Sequence, residues 1–141
     1  INERGEVTRR FDCDREVVVE LRCRVRKTIA GLYGYFSVIE ATGSEVMVSD
    51  SFDSEPNPLD GVAPGDYILR IVIPARSLAP GDYNVYLNFS IPISTPDIKA
   101  DSPGVLDSFH LDDFATHRGN KRHGSFSTRL LWELRKSDAT P

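Results

Sequence analysis

Apolar and polar residues alternate along most of this chain with a period of two, the repeat a strand imposes by sending successive side chains to opposite faces. Val17, Val19, Leu21, Cys23 and Val25 alternate with Val18, Glu20, Arg22, Arg24 and Arg26, which predicts a long half-buried strand whose outer face turns basic. From Tyr33 to Glu40, Gly34, Phe36 and Val38 fall on one face and Tyr35, Ser37 and Ile39 on the other. Ala41-Thr42-Gly43-Ser44 then closes a hairpin onto Val46 to Ser49. A phrase follows that occurs twice, Ala63-Pro64-Gly65-Asp66-Tyr67 and Ala79-Pro80-Gly81-Asp82-Tyr83. Each copy is a turn feeding a strand, because Pro presets φ, Gly accepts a strained position, and the run after Tyr is rich in β-branched and aromatic residues. In the second strand Tyr83, Val85, Leu87 and Phe89 point one way and Asn84, Tyr86, Asn88 and Ser90 the other.

The flanks are weaker. Asn2 to Gly5 reads as a turn, Glu6 to Phe11 as a short polar strand, and Asp12 to Glu16 as a charged break. Ser51 to Gly61 has loop composition, and Pro92, Pro96 and Pro103 predict another loop as far as Gly104. Val105 to Leu111 returns as a strand with Phe109 and Leu111 inward and His110 outward, Asp112 to Gly124 is polar, and Ser125 to Leu134 forms a closing strand around Trp132. With no stretch of helical period, the pattern predicts an all-β fold, an Ig-like antiparallel β-sandwich of seven to eight strands in one domain over residues 1–141. Leu78, Gly81 and Tyr83 match a tyrosine corner, which makes the second copy of the phrase a crossing between sheets. The first copy then opens a strand of the supporting sheet.

Composition sharpens this picture in three places. A net charge of −4 argues against nucleic acid as a partner. The sum conceals a basic segment, since residues 117–136 carry six Lys and Arg against Glu133 alone. Cys13 and Cys23 make neither a disulfide framework nor a metal motif, and fit small buried hydrophobes in a reducing compartment. The chain opens on Ile1 with no leader and no apolar run long enough to span a membrane, so it reads as an excised piece.

Catalytic chemistry finds little to stand on. His110, Asp112 and Asp113 with His117 and His123 offer imidazole and carboxylate ligands, but at no metal-motif spacing. No nucleophile elbow or phosphate loop is present, and Asp112 and Asp113 point to opposite faces of a strand. The expectation is a non-enzymatic chain with no cofactor and no metal. Binding fits better. In Ig order the strands of Tyr35, Tyr86 and His110 share a sheet, whose outer face collects Tyr35, Ser37, Asn84, Tyr86, Asn88 and His110. Rings that offer an apolar face to pyranose C–H bonds, beside amides and hydroxyls for ring substituents, suit a carbohydrate. A polar solvated face with Tyr35 and Tyr86 as a cross-strand pair is the alternative.

The order of these motifs resembles a family. Phe36 to Ile39 before Gly43, Pro64 to Tyr67 with a strand ending Ile73-Pro74, Leu78 to Tyr83, an inward Phe109, then Gly124 and Trp132-Glu133 look like the C-terminal domain of Wzt-type proteins. These are the ATPase subunits of ABC transporters that export O-antigen polysaccharide in Gram-negative bacteria. The resemblance implies a cytoplasmic module, peripheral to the inner membrane, that binds the modified non-reducing end of the polysaccharide and couples chain termination to export. It implies the ATPase domain and membrane subunit as partners, and a homodimer whose last strand exchanges between protomers. Tyr83 matches the structural corner and Trp132 the end of the last strand. Two departures stand out: the strand that usually precedes the Asn2 turn is missing, and so is the ATPase domain. A protein-interaction or dimerisation sandwich without glycan is the competing expectation.

Overall fold

A computed structural model describes residues 1–92 and 97–137. Seven strands follow one another as β1 (Arg10–Asp12), β2 (Val17–Val25), β3 (Tyr33–Glu40), β4 (Glu45–Asp50), β5 (Gly65–Ile73), β6 (Gly81–Ile91) and β7 (Ile98–Asp112). They form a five-stranded sheet, β1-β7-β6-β3-β4, and a two-stranded sheet, β2-β5. Every pairing is antiparallel except that of β1, which runs parallel to β7 over Arg10 to Asp12. The fold is the expected Ig-like β-sandwich, and its only helical pieces among the described residues are two single 3₁₀ turns.

The alternation seen in sequence becomes the core. Phe36, Val38, Tyr83, Val85, Leu87, Phe109 and Leu111 turn inward from the large sheet and meet Val17 and Ile73 of the small one, with Val19, Leu21, Leu69 and Ile71 half-buried beside them. The two copies of the repeated phrase separate as predicted, β5 in the small sheet and β6 in the large one. Each uses its tyrosine alike: Tyr67 donates from its hydroxyl to the Ala63 carbonyl at 2.7 Å, and Tyr83 to the Ala79 carbonyl at 2.6 Å. Only the second bond is buried, behind Leu78 and Phe109. Burial pushes the Tyr83 phenol up to about 12, so it stays protonated and donating.

Just ahead of that corner, Arg76 holds a left-handed backbone with φ of 62°. Its N–H donates to the Cys13 carbonyl at 2.7 Å, and its own carbonyl accepts from the Thr128 hydroxyl at 3.1 Å. Its guanidinium grips both oxygens of Asp113 at 2.9 and 3.0 Å and reaches Asp14 at 2.5 Å. The Asp113 side chain is 0% exposed and that of Arg76 13%. The Asp113 carboxylate also accepts from the Ala115 and Thr116 amides and the Thr116 hydroxyl. Arg76, then these other donors, outweigh burial and hold the Asp113 pKa far below the ordinary range, while the same pairing raises that of Arg76.

The structure departs from the sequence reading in three places. The first strand is Arg10–Asp12 rather than Glu6 to Phe11, because pairing with β7 covers only those three residues. The expected loop before Gly104 belongs largely to β7, which begins at Ile98; Pro96 lies outside the described residues. Pro103 is accommodated because β1 covers only the far end of β7, so an edge is open here, and because the register with β6 slips between Leu87 and Phe89. Gly104, at φ of 77°, absorbs the irregularity. The closing strand from Ser125 to Leu134 is not paired: the Ser125 carbonyl and the Thr128 hydroxyl tie its start to the body, and no ladder continues beyond them among the described residues.

The two tyrosines give a matched test. Tyr83→Phe leaves a buried carbonyl without its donor and lowers stability by about 1–3 kcal/mol, whereas Tyr67→Phe, at an exposed bond, changes it by less than about 0.5 kcal/mol. Urea unfolding of the two variants checks this, and equal losses would contradict the corner's role.

Candidate functional site

Cross-strand register lays out the outer face of the five-stranded sheet. Tyr33 pairs with Ser90, Tyr35 with Asn88, Ser37 with Tyr86 and Ile39 with Asn84 across β3 and β6. Asn84 pairs with Ser108 and Asp82 with His110 across β6 and β7. The predicted residues therefore do lie on one sheet, but in two groups. Four steps along the strand lead from Tyr86 to the position opposite His110, about 13 Å at 3.3 Å per residue.

The first group is aromatic. Tyr35 and Tyr86 meet edge to face with ring centroids 6.3 Å apart. Tyr35 donates to both oxygens of Glu45 at 2.8 and 3.0 Å, an acceptor that raises the pKa of its phenol. The Tyr86 hydroxyl accepts from the Asn88 amide at 3.1 Å. Each ring is thereby tethered at its polar end. Ser37 and Asn88, expected to be open, are only 1% and 8% exposed. Sharing the outward phase of a strand does not expose a short side chain that stands between large rings, so these two lie beneath the patch. Tyr33 was not singled out, although it continues the period of Tyr35; its ring lies 4.8 Å from that of Phe52 and its hydroxyl donates to Asp97 at 2.5 Å.

The second group lines a shallow cavity of about 320 Å³. Asp82, Asn84, Ser108 and His110 are outward residues of β6 and β7, with Arg9 and Arg10 on one side and Ala41 of the β3–β4 turn on the other. His110 sits between two carboxylates, Nδ1 at 2.7 Å from Asp82 and Nε2 at 3.1 Å from Asp112. The Asp82 contact first, then Asp112, raises its pKa against the effect of burial. Burial works against the Asp112 carboxylate, but hydrogen bonds from His110 and Asn120 outweigh it and lower its pKa. Asp82 and Ser108 could have been found from the sequence, since each stands two residues before a residue that was. Arg9 and Arg10 carried no such signal, because β1 reaches them only by the parallel pairing.

Other candidate chemistry disperses. His117 and His123 are exposed, Asp113 is committed to Arg76, and no three His, Cys, Asp or Glu converge on a metal-binding geometry among the described residues. Cys13 and Cys23 are free thiols whose pKa burial raises, the opposite of an activated nucleophile.

The fold and this face define an Ig-like β-sandwich with tethered aromatic rings and a polar cavity on the outside of its larger sheet. No family model and no curated protein matches the chain in sequence. In structure it is similar to the crystal structure of the C-terminal domain of Wzt, with a TM-score of 0.62 and 10% identity over 86% of this chain and 71% of that one. At that identity the shared property is the fold. The likeness meets the resemblance read from the order of motifs.

The His110 pair predicts a pH dependence of stability. A folded pKa above the ordinary value of about 6.5 means that the folded state holds the proton more tightly. The contribution is complete below about 6.5 and is lost as pH rises through the raised value. The stability of the parent protein over His110→Gln should therefore shrink from mildly acidic to mildly alkaline pH in parallel denaturation curves, and a gap that widens contradicts the assignment.

Proposed function

We propose that this chain is a non-catalytic carbohydrate-binding module of an ABC transporter that exports O-antigen polysaccharide. The observation that carries the reading is the fold likeness to the C-terminal domain of Wzt, together with the motif order that resembles the same family. The module works at the cytoplasmic side, attached to the transporter's ATPase and membrane subunits, and recognises the modified non-reducing end of the finished glycan.

The glycan lies on the outer face of the five-stranded sheet. Tyr35 and Tyr86 present ring surface to the apolar side of a pyranose, and their tethered hydroxyls keep that surface fixed before the ligand arrives. Asn84 and His110 bond hydroxyls from the neighbouring cavity. Ser37 and Asn88 support the rings from beneath. Binding of the purified domain to the source bacterium's own O-polysaccharide, native against end-trimmed, tests this. The native form binds, trimming abolishes binding, and Tyr86→Ala weakens it about tenfold, some 1.4 kcal/mol, with the fold retained. Failure to bind either sample overturns the reading, and equal binding to both overturns end recognition.

A separate observation supports a homodimer. Leu130, Leu131, Trp132 and Leu134 form an apolar run that is exposed, Trp132 at 91%, and lies outside any sheet. The small sheet ends at β5, and beside it a cavity of about 340 Å³ opens between the sheets, lined in part by Phe36, Leu69, Ile71 and Leu87. We propose that this segment pairs with the β5 edge of a second copy, which covers both apolar surfaces. Sedimentation should give a dimer that Leu130→Ser with Trp132→Ser converts to monomer; a monomeric parent, or a dimer that survives the change, overturns this.

A further inference from the structure

The cavity between Arg9 and Arg10 on one side and Ala41 on the other contains charges in both signs, and every cation in it is already matched. Arg9 makes a two-pronged contact with Asp107 at 2.9 and 3.3 Å. Arg10 lies 3.6 Å from Asp112, and His110 is flanked by Asp82 and Asp112. With His110 protonated the set of three cations and three carboxylates is neutral, and without that proton it is negative by one. No unbalanced positive charge is offered to an incoming anion, and such a group would approach Asp82, whose side chain is largely exposed.

The groups left over include both donors and acceptors. The Asn84 amide and the Ser108 hydroxyl stand opposite each other across β6 and β7, both exposed and without a side-chain partner among the described residues. Asp82 spends one oxygen on His110 and keeps the other. The guanidinium of Arg10, held only by its long contact with Asp112, has donors to spare. An amide, a hydroxyl, a carboxylate oxygen and a guanidinium within one shallow cavity match neighbouring hydroxyls on a ring, each of which both donates and accepts. A phosphate or carboxylate accepts only, which would leave Asp82 facing it unpaired.

We propose that this cavity is the subsite for an uncharged, hydroxyl-rich sugar residue and that it discriminates against phosphorylated or carboxylated ends. The proposal rests on the carbohydrate-binding reading and adds a charge class and a place for one sugar residue, the β1 end of the face beside the tyrosine patch. Asp82 is the discriminating residue, since it accepts from a hydroxyl and repels an anion.

Two measurements test this separately from the broader reading. Affinity for the native polysaccharide should change less than about twofold from low to high salt, whereas a tenfold or greater loss marks an anion held by charge and overturns the proposal. Amide shifts of the free domain should then be followed with methyl α-D-glucopyranoside and with inorganic phosphate, for the parent and for Asp82→Asn. Shifts at Asn84, Ser108 and His110 with the glycoside support the proposal; shifts there with phosphate but not with the glycoside overturn it, as does an Asp82→Asn variant that binds the glycoside unchanged. If the polysaccharide fails to bind while the glycoside still moves these amides, the transporter reading falls and the subsite stands.

Discussion

The sandwich depends on the pairing of Arg76 with Asp113 at the point where the chain crosses from the small sheet to the large one. Through its backbone and guanidinium, Arg76 joins the β1–β2 connection at Cys13 and Asp14, the loop after β7 at Asp113, and the start of the C-terminal segment at Thr128. Such a pair is weak evidence for net stability, because desolvating two charges offsets most of their attraction. Its consequence is geometric. A bidentate guanidinium–carboxylate contact has one arrangement, and once Asp113 is buried there, removing Arg76 leaves its carboxylate with only the longer contact of Arg122 at 3.6 Å as a charged partner.

That constraint propagates to both surfaces that the proposed function uses. Asp112 precedes Asp113 by one residue, so fixing Asp113 inward turns Asp112 outward to His110, Arg10 and Asn120. The cavity end of the face is therefore set by the same loop that closes the core. On the other side, the Ala79 amide donates to the Ser125 carbonyl and Tyr83 bonds back to Ala79, which roots the C-terminal segment against the corner before it leaves the body. A frame with a polar cavity, a tethered aromatic patch and an exposed apolar segment is the result.

Much of this was legible in the sequence, and where it was not the reason is physical. Period-two alternation assigned β2, β3 and β6 and most of their faces, the repeated turn phrase assigned β5, and Leu78 before Gly81 and Tyr83 distinguished the two copies of that phrase. Proline content hid the start of β7, because an open edge with a slipped register tolerates what a central strand rejects. The closing segment has strand character, but a strand also needs an edge, and local composition carries no information about which edge. Ser37 and Asn88 have the outward phase without the exposure, since neighbour size decides that. The Arg76–Asp113 pair spans 37 positions and has no periodicity, so only the folded chain brings it together.

The central claim is that the outer face of the five-stranded sheet receives a glycan. Amide chemical-shift mapping of the domain titrated with end-bearing fragments of the O-polysaccharide tests it most directly. The account predicts perturbations that run along β6 and β7 from Tyr86 and Asn84 to Ser108 and His110. Perturbations confined to β2 and β5, or none at saturating fragment, would contradict it.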